Sequence, residues 1–316
     1  MTSQPTVSVV VCTCDRPREL QKCMGSLLSQ TVAPHEIIVV ENRVRSEATV
    51  LIANSSSARY EFVAIGGVSA ARNRGWQVAA GAVVAYIDDD AVAEPDWIEH
   101  LAQEFEDQTV AATAGRIIPT RMESAFERSA YKCGILGPVD APRTTFSSSR
   151  DEWFEALNFG CIANGSNMAF RREIIERFPF DERLGRGLPV ESFADHHSFF
   201  CIVANGFTAV YSDKPVVRHP VPSREEEFRK KELNNLRAAG GYCTLLWCEW
   251  PQYRRRLISY LASGFRGEAR EFRSSHDEIS KIARFTKVRV GLAGSFRYFL
   301  HAFGRDRRKA SPAVRS

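Results

Sequence analysis

The sequence has no long apolar run and no secretory leader pattern. No stretch approaches the roughly 18 uninterrupted apolar residues that a transmembrane helix needs, so none is predicted. Residues 1–6 lack the basic segment with which a signal peptide begins. Among 316 residues, 44% are hydrophobic and 25% are charged, which is the composition of a soluble globular protein. We therefore expect a protein that begins and stays in the cytoplasm.

Cysteine motifs are also missing. The chain has eight cysteines, and none has the paired spacing of a zinc ribbon. A chain of this length can bury a substantial core, so it does not need disulfides to fold. The pattern predicts reduced structural thiols and excludes a disulfide-dense secreted domain.

The loop after the first predicted strand lacks the glycines of a dinucleotide-binding site. A nicotinamide-dependent oxidoreductase would carry G-x-G-x-x-G at this place. The chain instead has Thr13-Cys14-Asp15-Arg16-Pro17, so we discount that function.

Charge is distributed unevenly along the chain. Residues 220–316 contain 21 Lys and Arg and 10 Asp and Glu, a net charge of +11. Residues 1–219 contain 21 and 28, a net charge of −7. A basic C-terminal part favours an anionic partner, either a membrane, a lipid phosphate or nucleic acid, although an ordinary solvated helical surface explains it as well. Of these partners, nucleic acid is the one we do not expect.

Through the first third of the chain, apolar runs alternate with segments in which apolar residues recur at helical spacing. The runs predict five strands, at residues 7–12, 36–41, 60–65, 82–87 and 110–115. Strands that alternate with helices indicate βαβ units with right-handed crossovers. The sequence therefore predicts an α/β fold with a mostly parallel sheet flanked by helices.

Carboxylates follow three of the first four predicted strands. They are Asp15, Glu41 and the run Asp88-Asp89-Asp90. Open α/β sheets bind ligands at the carboxyl ends of their strands, so these side chains should meet in one crevice. Three adjacent carboxylates repel one another unless a cation or hydrogen-bond donors offset their charge. A divalent cation that carries substrate phosphates would do so, and a solvated acidic turn is the alternative.

The regular alternation of predicted strands and helices stops after residue 118. Residues 119–150 contain prolines and a serine run and predict a long loop or lid. A last strand is predicted at residues 207–211, and the chain is helical after residue 222. We expect a catalytic domain at residues 1–220, a helical basic C-terminal region at 221–304 that packs on it, and a disordered basic tail at 305–316. The C-terminal helices are basic and amphipathic, so they can contact a membrane surface.

Taken together, the ordered motifs resemble those of the family-2, GT-A-fold glycosyltransferases. The resemblance covers roughly residues 6–220, and its clearest part is the Asp-x-Asp strand end, Tyr86-Ile87-Asp88-Asp89-Asp90. The other segments that carry it are residues 7–17, 36–42, 69–75, 164–172 and 180–187.

The resemblance implies a nucleotide-diphospho-sugar donor, with a UDP-sugar favoured, and a bound Mn²⁺ or Mg²⁺. It makes Asp90 a metal ligand, and His219 matches a histidine that faces the metal and diphosphate in some relatives. Asp88 and Asp89 would contact the ribose or support the metal site. The remaining donor-binding residues would be Thr13, Asp15, Arg16, Glu41 and Arg72.

The resemblance also implies an inverting displacement with one general base. Asp195 occupies the place of that base, and Asn167 lies in a segment that resembles the acceptor-side turn. The acceptor is left open and can be a glycan, a lipid-linked sugar or a small molecule.

The chain departs from the family pattern at three points. Glu41 stands where an Asp is usual, Ala194 where Glu or Gly is frequent, and His196-His197 where an acidic and an apolar residue are expected. These departures leave the acceptor type open and keep Glu191 as a rival for the base. A metal-dependent nucleotidyltransferase and a non-catalytic nucleotide-sugar-binding protein are the alternative functions, because Asp clusters also serve phosphoryl chemistry.

Overall fold

The computed structural model describes residues 4–132, 134–188, 190–271 and 284–304. The chain divides into two compact units. The sheet unit comprises Met1–Glu182 and Ala194–Ser223, and the helical unit comprises Arg183–Phe193 and Arg224–Ser316. The domain boundaries expected from the sequence, after residues 220 and 304, stay predictions.

The sheet unit is built on one mixed sheet. Its described strands are β1 (Val7–Thr13), β2 (Glu36–Asn42), β3 (Arg59–Val63), β4 (Val83–Asp88), β5 (Val92–Ala93), β6 (Val110–Pro119), β7 (Thr144–Phe146), β8 (Met168–Arg171) and β9 (Thr208–His219). Their order across the sheet is β3-β2-β1-β4-β8-β6-β9-β5, with β7 also paired to β9. The described helices are α1 (Pro17–Leu28), α2 (Glu47–Ser55), α3 (Val68–Val78), α4 (Trp97–Glu104), α5 (Ala125–Lys132), α6 (Trp153–Phe159), α7 (Arg172–Arg177) and α8 (Ala194–Ala204).

Strands β1 and β4 lie side by side at the centre of the sheet, and both are almost wholly buried. This burial explains why their sequences read as continuous apolar runs, since helices cover both faces of a parallel sheet. Val9 and Ala85 belong to the same core as Leu20 of α1 and Trp97 of α4. The α/β class is therefore confirmed, and the parallel strands β1 to β4 form one side of a mixed sheet.

Strand direction brings distant parts of the sequence to one edge of the sheet. β1, β2 and β4 are parallel, and β8 runs antiparallel to β4. β6 is antiparallel to β8 and parallel to β9, so β9 runs in the same direction as β4. As a result, the carboxyl ends of β1, β2, β4 and β9 and the start of β8 share one edge.

Two local expectations differ from the structure. The predicted loop at residues 119–150 contains helix α5 and strand β7. The last strand continues to His219, well beyond residue 211, because it pairs with the full length of β6 as far as Pro119↔His219. The register shifts between Gly115 and Arg116, and residues 213–215 of β9 have no partner there. Because of this interruption, the second half of β9 could not be recognised as strand from the sequence.

The second unit is helical. It contains α9 (Glu225–Glu249), a 3₁₀ turn (Pro251–Tyr253), α10 (Arg254–Glu271) and α11 (Arg284–Gly304). The segment Arg183–Phe193 packs within this unit, where the ring of Phe193 stacks on Tyr242 at 4.8 Å. Within the described residues, no helix is both long enough and apolar enough to cross a bilayer. None of the described cysteines in either unit forms a disulfide.

Glycines allow α9 and α11 to approach closely. A Cβ atom on Gly294 would clash with the carbonyl oxygen of Arg237, whereas one on Gly291, one turn earlier, would meet nothing within 4 Å. We expect Gly294→Ala to lower the free energy of unfolding of the helical unit by about 1–3 kcal/mol, because the backbones must separate. Gly291→Ala, the matched control, should raise it by about 0.5–1 kcal/mol through helix propensity.

Urea denaturation followed by circular dichroism measures both values. Equal effects of the two substitutions would contradict the close packing of α9 and α11.

Candidate active site

Two of the three consecutive carboxylates and one histidine form a compact cluster at the shared edge of the sheet. His219 Nε2 lies 3.1 Å from Asp90 Oδ1 and 3.9 Å from Asp88 Oδ2. One ligand atom from each of the three residues lies within 4.8 Å of the others, which is close enough to hold one metal ion. Asp88 ends β4 and His219 ends β9, so parallel strand direction brings them together.

Asp89 is held by Thr13 and by Arg16, which also donates to Asp90. Thr13 Oγ1 donates a hydrogen bond of 2.7 Å to Asp89 Oδ2, and Arg16 Nη1 donates one of 3.2 Å to Asp89 Oδ1. Burial raises the pKa of Asp89 to about 6, although the Thr13 hydroxyl acts in the opposite direction. Asp89 thus ties the loop after β1 to the strand end, while its neighbours form the cluster.

Positive groups offset the charge of Asp90. Burial acts to raise its pKa, but hydrogen bonds and charges from His219 and Arg16 outweigh burial and hold the pKa well below its usual range. Arg16 Nη1 donates to Asp90 Oδ2 at 2.7 Å. His219 Nδ1 lies 2.8 Å from the carbonyl oxygen of Pro220. A neutral imidazole with its proton on Nδ1 would donate to that carbonyl and present an unprotonated Nε2 to a metal ion.

A turn before β8 connects the cluster to Asp195. Ser166 Oγ donates a hydrogen bond of 2.5 Å to Asp88 Oδ2, and the backbone N–H of Gly165 donates one of 2.7 Å to Asp195 Oδ2. Adjacent residues of one turn therefore bind the metal-cluster carboxylate and the predicted base. Neither contact could be derived from the sequence, since the two partners lie 78 positions apart in the first contact and 30 in the second.

Arg72 lies beside the same turn. Its Nη2 is 3.8 Å from Asp88 Oδ1, and its guanidinium lies 5.4 Å from the ring centroid of Phe180. Gly165 leaves room for Arg72, because a Cβ atom at this position would displace the Arg72 guanidinium. The positive charge of Arg72 also acts on Asp195.

Asp195 stands at the start of α8 and is fully ionised at neutral pH. Burial acts to raise its pKa, but the charge and hydrogen bond of His196 and the charge of Arg72 hold it well below its usual range. His196 Nδ1 lies 3.0 Å from Asp195 Oδ1. Burial acts to lower the pKa of His196, yet Asp195 raises it to about 9. The dipole of α8 also favours a carboxylate at this position.

Glu41 has one partnered and one unpartnered carboxylate oxygen. Tyr60 donates a hydrogen bond of 2.7 Å to Glu41 Oε2, and the backbone N–H of Ser46 donates one of 3.0 Å to the same atom. Oε1 is buried and has no hydrogen-bond partner within the described residues. An unpaired buried oxygen is costly, so it is a natural acceptor for a donor group of a ligand.

Comparison with known proteins decides the family. The model of the family described as Glycosyl transferase family 2 matches residues 8–178, more than half of the chain. The chain belongs to glycosyl transferase family 2. This membership confirms the resemblance drawn from the motifs, and it identifies the protein as an enzyme, a glycosyltransferase.

Two curated relatives of this glycosyltransferase come from Haloferax volcanii. It is 29% identical over 244 residues to glucosyl-dolichyl phosphate glucuronosyltransferase, covering 70% of this chain and 71% of the relative. It is 30% identical over 236 residues to glycosyltransferase AglE, covering 72% and 71%.

A solved structure supports the fold. Mannosyltransferase PcManGT from Pyrobaculum calidifontis, in complex with GDP-Man and Mn²⁺, has a TM-score of 0.58 and 15% identity, covering 95% of this chain and 88% of that chain. At this identity the likeness concerns the fold alone, and it confirms the GT-A class expected from the sequence.

Three more residues were predicted for the site of this glycosyltransferase, and the structure gives their surroundings. Asp15 is exposed, with a left-handed φ of 53° in the loop after β1. Asn167 is fully buried, and its amide is bonded to Trp97 and to the carbonyl oxygens of Arg116 and Pro215. Its contacts hold three elements together, and its acceptor-side role stays a prediction.

The third is Glu191, which belongs to the helical unit. Its carboxylate lies 3.8 Å from Arg297 Nη1 of α11. Its role as a rival base also stays a prediction.

Sequence reasoning assigned no role to Gly165, Ser166 or Tyr60. Gly165 and Ser166 lie in the segment that resembles the acceptor-side turn, and this resemblance is the feature of the sequence that could have pointed to them. Nothing in the sequence indicates that Tyr60 belongs to the site, because its contact with Glu41 depends on how β3 pairs with β2.

Proposed function

We propose that this glycosyltransferase moves a sugar from a nucleotide-diphospho-sugar to an acceptor hydroxyl, with inversion and with metal assistance. Asp88, Asp90 and His219 would hold the metal, and Asp195 would act as the general base. The observation that carries the proposal is the turn at Gly165 and Ser166, which bonds to Asp195 and to Asp88. This arrangement supports the proposal, because a general base would act on the attacking hydroxyl and a cation on the leaving diphosphate, on opposite sides of the anomeric carbon.

The donor set suits Mn²⁺ or Mg²⁺. Two carboxylate oxygens are ligands for hard divalent cations, and an imidazole nitrogen as third ligand favours Mn²⁺ over Mg²⁺. The structural neighbour PcManGT was solved with Mn²⁺. When bound, the cation would offset the negative charge that develops on the leaving diphosphate.

Around the cluster, this chain's own groups would bind the nucleotide. Thr13, Asp15, Arg16, Glu41 and Arg72 would line the base and ribose pocket with Asp88 and Asp89. The buried Oε1 of Glu41 can accept a hydrogen bond from a base N–H or a ribose hydroxyl. We favour a UDP-sugar as donor, and a GDP-sugar is the alternative because the structural neighbour binds GDP-Man.

The chemical step would need only one protein base. The acceptor hydroxyl would bond to the anomeric carbon as the bond from that carbon to the diphosphate breaks, and Asp195 would take the hydroxyl proton. A single displacement of this kind inverts the anomeric centre and forms no covalent enzyme intermediate. The low pKa of Asp195 keeps it deprotonated before the step, and the N–H of Gly165 would orient its carboxylate.

We favour a lipid-linked acceptor over a free glycan or a small molecule. The relative from Haloferax volcanii is named as acting on glucosyl-dolichyl phosphate, a sugar carried on a lipid phosphate. The basic charge of residues 220–316 suits such an anionic acceptor. The enzyme would then work in the cytoplasm, peripherally at the inner face of the membrane.

A donor screen with product analysis tests this function. With Mn²⁺ present, we expect one sugar nucleotide to raise the melting temperature, since a ligand that binds the native state stabilises it. Turnover of that donor should release a nucleoside diphosphate and no pyrophosphate. Release of pyrophosphate would indicate nucleotidyl transfer, and binding without turnover on soluble and lipid-linked acceptors would indicate a non-catalytic protein.

A further inference from the structure

Helix α11 of the helical unit exposes a stripe of large apolar side chains. Leu292, Phe296 and Leu300 recur every four residues, and Phe299 lies beside them. At 100° per residue the four cover an arc of about 100° on the helix surface. Their exposed fractions are 65% for Leu292, 64% for Phe296, 58% for Leu300 and 42% for Phe299.

The orientation of this stripe is set by the packing of α11 on α9. The side of α11 that carries Gly294 and Tyr298 is buried, and Ser295 Oγ donates to the carbonyl oxygen of Gly240 at 3.1 Å. Because the small residues lie against α9, the large apolar ones are left on the outer side of the unit. We call Leu292, Phe296, Phe299 and Leu300 the α11 patch.

The charge of α11 is of one sign. Residues 284–304 contain no Asp or Glu, and they contain Arg284, Lys287, Arg289 and Arg297. Arg289 is exposed and lies within the angular range of the patch, while Arg297 borders it with half of its side chain exposed. A helix with an exposed apolar stripe and basic residues beside it has the composition of an interfacial membrane helix.

We propose that the α11 patch docks on an anionic lipid bilayer, with its apolar side chains among the headgroups and Arg289 at the lipid phosphates. Charge complementarity favours this occupant over a second copy of the chain. A symmetric dimer through the patch would place two basic helices against each other, which costs free energy. An anionic surface attracts the same residues.

A second observation points the same way. Helix α10 exposes Ile258 and Leu261, which are spaced three residues apart, and Arg255 is exposed beside them. This inference deepens the proposed function and rests on it in one respect, namely that a lipid-linked acceptor would bring the enzyme to such a surface.

Vesicle co-sedimentation with the full chain tests the proposal. Vesicles of phosphatidylcholine with phosphatidylglycerol are compared with vesicles of phosphatidylcholine alone. We expect binding to the anionic vesicles, and we expect Leu292→Gln with Phe296→Gln to weaken it by about tenfold or more, because two large apolar contacts are lost. Arg289→Gln should weaken binding to anionic vesicles at low salt and change nothing on neutral ones.

The matched control is Leu28→Gln with Leu51→Gln. These leucines lie on α1 and α2 of the sheet unit and are 57% and 68% exposed, similar to the residues of the patch. The control should bind vesicles as the unmodified chain does. Equal binding by the control and by the patch variant, or no binding of any vesicle by the unmodified chain, would overturn the proposal.

Two further measurements separate the other outcomes. If the unmodified chain binds no vesicle and the patch variant changes its mass in sedimentation equilibrium, the patch is an interface between copies and the proposal is wrong. Donor-induced stabilisation should be the same in the patch variant and the control. Loss of turnover on every acceptor with vesicle binding intact would count against the proposed function and leave this inference standing.

Discussion

Replacing Asp195 with Asn is expected to lower kcat by at least about 10²-fold and to leave donor affinity nearly unchanged. Asn has almost the same shape, so its carbonyl oxygen can still accept the hydrogen bond from the N–H of Gly165. It cannot take the proton of the acceptor hydroxyl. Single-turnover kinetics with a saturating donor, together with donor titration, would separate the loss of chemistry from any loss of binding.

The same substitution has a spectroscopic signature. Asp195 holds the pKa of His196 at about 9, while burial acts to lower it. Without the carboxylate charge, the pKa of His196 should fall, so that the imidazole loses its proton at a lower pH than in the unmodified enzyme. NMR titration of the His196 ring measures this change, and the chemical-shift dispersion of the same spectra shows whether the variant is folded.

Glu191→Gln is the control for the identity of the base. Its carboxylate lies beside Arg297 in the helical unit, and we expect this variant to keep most of its activity. If Asp195→Asn stays active while Glu191→Gln is inactive, the base has been assigned to the wrong residue.

Asp90→Ala is expected to abolish the metal-dependent part of donor binding. It removes one of the three groups that could hold the ion, and the loss should exceed the 10–100-fold that changes outside the ligand set typically cause. Isothermal titration of the donor with and without Mn²⁺ measures the effect. Donor affinity that is unchanged by this substitution or by a chelator would rule out the metal role.

Asp89→Asn provides the matched comparison for Asp90→Ala. Asp89 is the adjacent carboxylate, and its oxygens are bonded to Thr13 and Arg16 instead of facing His219. We expect Asp89→Asn to keep the dependence of donor binding on Mn²⁺, even if overall affinity falls. An equal loss of metal dependence in both variants would show that the cluster is not specific to Asp88, Asp90 and His219.

The central fold was predictable because its signals are local. β1, β2 and β4 are buried on both faces, so each appears in the sequence as an unbroken apolar run. The second half of β9 was not predictable, because Asp213, Lys214 and Pro215 interrupt its apolar pattern. These residues lie where the register with β6 shifts, and the strand resumes after them to reach His219.

The candidate site was partly predictable for the same reason. Asp88–Asp90 and Glu41 follow buried runs, and strand ends in such a sheet form the ligand crevice. Which partner each of the three carboxylates contacts was not predictable. Asp89 is bonded to Thr13 at the end of β1, Asp90 faces His219 at the end of β9, and Arg16 in the loop after β1 donates to both.

By itself, the sequence determined the α/β class, the glycosyltransferase family and the position of the acidic strand end, because each depends on periodicity or on residues close together in the chain. Only the tertiary structure decided which groups surround that strand end. His219 lies 129 positions after Asp90, and Ser166 lies 78 positions after Asp88. Contacts over such separations depend on strand order, strand direction and register, which result from the packing of the whole sheet.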